Sequence, residues 1–146
     1  VSKYDVTRLK EAYDDFLLIT NRFKGSKYAD DASNRLIFLR NSMAKHEVYV
    51  ANYYLTRGAY LASSERSKYM LENYPGAPAT KDALIILIES YNNLEMIDLA
   101  KTTADVLANN FSNYSYTLNE NNIVVIKDNN KEEIIEKESF FDLGLF

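Results

Sequence analysis

Apolar residues recur along the first 111 positions at steps of three and four, the spacing that lines one face of a helix. Leu9, Ala12, Tyr13, Phe16, Ile19 and Phe23 make the first stripe, from about Thr7, and Lys24-Gly25-Ser26 ends it with a glycine suited to a helix cap. A second stripe starts near Ala29, with Asp30 and Asp31 at the positive end of the helix dipole. It runs through Ala32, Leu36, Leu39, Met43, His46, Val50 and Tyr53 almost to Arg57. No Gly or Pro interrupts it, so one unusually long helix is expected.

Gly58 separates that pattern from a third, Tyr60, Ser63, Ser67, Met70, Leu71 and Tyr74. Pro75-Gly76-Ala77-Pro78 stops the chain, because Pro75 offers no N–H to a helix and restricts Tyr74 before it. A fourth helix begins at Ala79 or Thr80 and carries Ala83, Leu84, Leu87, Ile88, Tyr91 and Leu94; a fifth carries Ile97, Ala100, Ala104, Leu107 and Phe111. Beyond residue 111 the pattern changes. Asn accumulates at 113, 119, 121, 122, 129 and 130, favouring turns, and Ile123-Val124-Val125-Ile126 is β-branched enough for a short strand. Lys131 to Glu138 reads as a short charged helix, and Phe140 to Phe146 as an apolar end. The chain therefore divides into helical segments over 1–111 and an acidic, Asn-rich extension over 112–146, whose plain reading is a solvated appendage, while its apolar end would either dock back on the body or bind something else.

The helices repeat. A shift of 37 residues lays Val50, Tyr54, Ser63, Ser67, Met70 and Tyr74 on Leu87, Tyr91, Ala100, Ala104, Leu107 and Phe111, so small meets small and apolar meets apolar. A helix–turn–helix unit of about 34 residues, with small residues at the crossing and Pro at its end, is the tetratricopeptide signature. The fold class is accordingly all-α, a solenoid of helical hairpins, with Tyr54, Gly58, Tyr60, Pro75 and Tyr91 as structural repeat positions. Two departures stand out: Glu95 occupies the Gly-like position of the second copy, and Ser67 stands where a large aromatic is usual.

Composition narrows the chemistry. The chain has 146 residues, 47% hydrophobic and 26% charged, enough for one real core. With Gly 4 and Pro 2, a many-stranded sandwich lacks its turn formers. Cys 0 excludes disulfides and thiolate chemistry. The net charge of −4 falls on the extension and no basic stripe exists, which disfavours nucleic acid; no apolar run spans a bilayer. The lone His46 precedes Glu47, but position 50 is Val, so a zinc-protease pair is incomplete and a structural, partly buried histidine is the better reading. Asp14-Asp15 and Asp30-Asp31 are adjacent and do not share a helix face. Without a nucleophile beside a base or a phosphate loop, we expect no enzyme, no cofactor and no metal.

Tyr53-Tyr54-Leu55-Thr56-Arg57-Gly58-Ala59-Tyr60-Leu61-Ala62, followed by Arg66, Tyr74-Pro75, Ala79 and Asp82-Ala83-Leu84, resembles the BamD family of outer-membrane lipoproteins. Gly25 to Ala32 and Arg35 to Leu39 resemble the same family, so the likeness covers about residues 8–111. The resemblance implies a non-enzymatic scaffold of the machinery that inserts β-barrel proteins, working at the periplasmic face of a Gram-negative outer membrane. It also implies that this chain, with room for about two and a half repeats, corresponds to the C-terminal half, and that membrane attachment is through a lipidated cysteine outside it. The implied partner is a POTRA domain of a BamA-like subunit, with further accessory lipoproteins. Arg66 matches the family arginine that faces an acidic POTRA residue.

The residues support that placement independently. Ala59, Ala62, Arg66 and Tyr69 share a helix face distinct from the core stripe, and an arginine between small and aromatic neighbours presents a fork to a carboxylate. Arg66, Tyr69 and Ala62 are thus the candidate partner-binding residues, whereas Arg57 is expected to bond carbonyls at a helix end. The competing reading is capture of an extended peptide in the concave groove of the repeats; a helical hydrolase would require a pocket of clustered carboxylates.

Overall fold

The computed structural model describes residues 3–130. Its elements, in chain order, are α1 (Lys3–Arg22), α2 (Lys27–Thr56), α3 (Tyr60–Asn73), α4 (Thr80–Asn93), α5 (Ile97–Asn110), β1 (Tyr114–Leu118) and β2 (Val124–Asp128). Each helix packs on the next, and α2 also touches α4 across the intervening α3. That arrangement, first helices of successive hairpins side by side, is the tetratricopeptide-like stack the repeat implied. The charged stretch from Lys131 to Glu138 and the apolar end from Phe140 to Phe146 lie outside the described residues.

The long second helix forms without a break over 30 residues. It starts earlier than the apolar stripe, because Ser26 caps it. The Ala29 N–H donates to Ser26 Oγ, and the Ser26 hydroxyl donates back to the Phe23 carbonyl. Asp30 then sits in the first turn, and Asp31 pairs with Arg35 one turn on at 3.1 Å.

Packing between repeats depends on the small positions. Ser63, Ser67, Ala100 and Ala104 are buried, as are Ala44, Ala51 and Ala83. At the α2–α3 crossing the helices come close enough for the Ser63 hydroxyl to donate to the Ala51 carbonyl at 2.8 Å. Larger side chains fill the grooves so formed. Met43, Met70 and Tyr74 make one apolar cluster, against which Leu9 and Tyr13 of α1 pack, and Leu84, Leu87, Ile88, Tyr91 and Leu107 make the other. Three of the pairs that coincide under the 37-residue shift are buried in both copies: Ser63 with Ala100, Ser67 with Ala104, and Met70 with Leu107.

The turns repeat as well. After α2 the Gly58 N–H donates to the Leu55 carbonyl and the Ala59 N–H to Tyr54; after α4 the Glu95 N–H donates to Asn92 and the Met96 N–H to Tyr91. Both are Schellman closures, which need a left-handed residue at the same place. Gly58 adopts φ 76° there, and Glu95 adopts φ 60° despite its side chain. The departure in the second copy is thus a substitution inside a conserved geometry, made at the expense of local strain.

The extension corrects one expectation. Residues 114–128 are not a solvated appendage: β1 and β2 form an antiparallel hairpin with Tyr116 opposite Ile126, and its inner face packs on α4 and α5. Tyr114 and Val124 join the second core cluster, with Tyr116 and Ile126 against it. Asn92 clamps the hairpin in the manner of another strand, its Nδ2 donating to the Val124 carbonyl and its Oδ1 accepting the Val124 N–H. Asn119 organises the turn, accepting from the N–H groups of Asn121 and Ile123. The strand expected at 123–126 lies at Val124–Asp128, and the fold is helical with this small sheet added.

Candidate functional site

Helix α3 presents two faces. Ser63, Ser64, Ser67 and Met70 point into the stack, and Ala62, Arg66 and Tyr69 follow one another along the adjoining, more open face. The spacing of four and three residues sets these three along one side of α3. Tyr69 is 41% exposed and meets Tyr74 edge to face at 6.5 Å between ring centres. The Arg66 side chain is 41% exposed, and its Nη1 donates to Glu47 Oε2 at 3.0 Å. Glu47 lies on α2 and its side chain is only 8% exposed. The rest of the Arg66 fork has no partner among the described residues.

This pair gives Arg66 a definite direction. A buried carboxylate needs a hydrogen-bonded countercharge, and Arg66 supplies it from the rim while leaving its remaining donors toward solvent. A planar guanidinium held at one edge and open at the other suits a second carboxylate. His46 lies beside Glu47. Burial lowers its pKa below the usual imidazole value of 6.5, and Arg66 and Lys10 add to that effect while Glu47 opposes it. Its Nδ1 is buried without a hydrogen-bond partner, as fits a structural histidine on the apolar stripe.

The structural repeat positions differ in burial, with Gly58 and Pro75 exposed in turns. Tyr91 is buried and Tyr54 and Tyr60 are half-buried, Gly58 makes the left-handed turn, and the Pro75 carbonyl accepts from Arg40 Nη2. Arg57 bonds the Tyr53 carbonyl and lies over the Tyr53 ring, 3.5 Å from its centre, which is the helix-end role expected of it.

Two recesses flank this region. On one side Lys10 and Tyr13 of α1, Arg40 and Met43 of α2, and Asn73 and Tyr74 of α3 enclose a cleft of about 240 Å³. On the other, two openings of about 520 and about 390 Å³ run together between α2 and α4 and share Lys45 and Asp82. Sequence reasoning missed Glu47, Lys10 and Arg40. Glu47 and Arg66 are 19 positions apart, and nothing local marks them as partners. The only cue was an acidic residue on an otherwise apolar helix face.

The stacked helical hairpins define a protein of the helical-repeat class. Comparison with known proteins makes the class specific. The YfiO family, described as outer membrane lipoprotein, matches residues 1–107. The outer membrane protein assembly factor BamD of Xylella fastidiosa (strain Temecula1 / ATCC 700964) is 37% identical over 110 residues, 75% of this chain and 38% of that protein. BamD of Neisseria gonorrhoeae is 38% identical over 102 residues, 70% of this chain and 38% of that protein. BamD of Vibrio cholerae is 31% identical over 103 residues, 70% of this chain and 43% of that protein. The chain belongs to the YfiO family of outer membrane lipoproteins. It spans about two fifths of the length of these relatives.

Proposed function

We propose that this chain is a non-enzymatic scaffold of outer membrane protein assembly that binds a POTRA domain of a BamA-like subunit through Arg66, Tyr69 and Ala62. The observation that carries the reading is the Arg66 guanidinium, fixed at one edge by the buried Glu47 and open at the other. Relatives named as assembly factors support the process, and the contact rests on the resemblance of the sequence around Arg66 to the family. The working place is the periplasmic face of a Gram-negative outer membrane. Accessory lipoproteins of the same machinery are further partners. The segment over 1–111 acts as the binding body, and the extension from 112 is an addition whose hairpin packs against α4 and α5.

The test is binding of the full chain to the POTRA domains of a BamA protein, measured by calorimetry. Arg66→Glu alone would set two carboxylates together and strain the fold, so the informative variant is the pair Glu47→Gln with Arg66→Gln. It keeps an amide hydrogen bond in place of the ion pair. We expect affinity to fall at least about tenfold, about 1.4 kcal/mol, with an unchanged helical spectrum. Unchanged affinity refutes the contact.

A second reading has its own observation. The recesses between α2 and α4 share Lys45 and Asp82 and have Phe38 and Tyr49 exposed along them, a lining that suits an extended peptide. Loss of peptide binding in Tyr49→Ala, with POTRA affinity intact, would assign peptide capture to this face.

A further inference from the structure

The 240 Å³ cleft between α1 and α3 is not needed to explain the Arg66 contact, yet its charge is unusual for this molecule. Residues 1–111 hold 14 basic and 14 acidic side chains, a balanced set. Around the cleft the balance is lost. Its two charged lining residues are both cations, Lys10 from α1 and Arg40 from α2, and Arg66 lies on α3 outside the lining. Among the described residues no acid lines the cleft, and Glu47, deeper in α2, is buried and already paired with Arg66. Lys10 and Arg66 both act electrostatically on His46, so they flank one stretch of α2. Arg40 is held in place by its bond to the Pro75 carbonyl, and Tyr13 and Tyr74 give the cleft apolar sides.

We infer that this cleft is a second docking subsite, which takes an acidic segment of the same partner whose carboxylate Arg66 grips. The inference rests on the proposed Arg66 contact and extends it by naming the chemistry of the adjoining partner surface: carboxylates spaced along an extended or helical segment. Uncompensated cations on a rim raise the local concentration of an acidic partner and speed its encounter. The anchored arginine retains it afterwards. The two elements therefore separate kinetically. Lys10 sets the association rate and its salt dependence, whereas Arg66 sets the dissociation rate.

Two measurements test this on the full chain. First, hexaglutamate is titrated against labelled protein and followed by NMR. The amides of Lys10, Tyr13 and Arg40 are expected to shift, and Lys10→Glu is expected to abolish those shifts. Second, association with the POTRA domains is timed at about 50 and about 300 mM salt, either side of the ionic strength at which the screening length is about 10 Å. Lys10→Glu is expected to slow association roughly fivefold at low salt and to flatten its salt dependence, with dissociation unchanged. The Glu47→Gln, Arg66→Gln pair is expected to speed dissociation instead. Lys10 is exposed and off the core, so its reversal leaves the fold intact. If hexaglutamate leaves the cleft amides unmoved, or Lys10→Glu associates like the parent, the subsite is overturned. If the Arg66 variant binds unchanged while hexaglutamate still moves the cleft, the POTRA contact fails and the acidic subsite stands.

Discussion

Glu95 offers a direct measure of how far the repeat geometry is imposed on the chain. It occupies the left-handed residue of the closure after α4 at φ 60°, where the preceding repeat uses Gly58 at φ 76°. A left-handed conformation costs an L-residue roughly 1–2 kcal/mol. Glycine escapes that cost but loses more backbone entropy on folding, roughly 0.5–1 kcal/mol relative to alanine. The difference predicts that Glu95→Gly stabilises the protein by about 0.5–1 kcal/mol, since the Glu95 side chain is exposed and makes no hydrogen bond among the described residues. For a chain of this size that corresponds to a rise of roughly 2–5 °C in Tm. Gly58→Glu should cost a similar amount. A Cβ at Gly58 meets nothing closer than the Tyr60 hydroxyl at 4.0 Å, so backbone strain and not collision decides the sign. Thermal and urea unfolding of both variants, with Glu95→Ala as control, provides the assay. Alanine removes the charge and keeps the strained Cβ, so it should gain little. Equal stabilisation by Ala and Gly would assign the effect to charge and refute the backbone argument, as would a destabilised Glu95→Gly.

Other perturbations read the same structure at different places. Ser67 is buried with its hydroxyl unpartnered, and alanine already fills the equivalent position 104, so Ser67→Ala should stabilise by about 1 kcal/mol; Ser63→Ala, which loses the bond to Ala51, should instead cost about 0.5–1.5 kcal/mol in urea unfolding. The folded protein holds the His46 pKa below 6.5, so the unfolded chain takes up the proton first and stability falls as pH drops through 6.5 toward the folded value. His46→Gln should remove that part of the acid loss, which unfolding curves at stepped pH will show as a shallower slope than the parent. Asn92→Ala should cost about 1–2 kcal/mol by leaving both backbone groups of Val124 without their side-chain partner. Hydrogen exchange at the Val124 amide should rise strongly while the α2–α3 amides stay protected.

Local patterning determined the helices. Their apolar stripes, the uninterrupted run of α2, the punctuation at Gly58 and Pro75, and the repeat itself are all properties of neighbours in sequence, because helix faces recur every three or four residues. Even the expected face of Ala62, Arg66 and Tyr69 followed from that period. Ser26 as a helix cap was available to the same reasoning, and the alternation of Tyr114, Tyr116 and Leu118 was a strand signal left unread.

Tertiary structure alone decided the rest. That Glu47 is the buried countercharge of Arg66, that Lys10 and Arg40 share a cleft with Tyr74, and that Asn92 pairs with Val124 depend on how separate helices and strands are set side by side. A charged residue on a helix carries no mark of what will face it. Its role is set by the dielectric and the partners that packing supplies, and those come from residues remote along the chain.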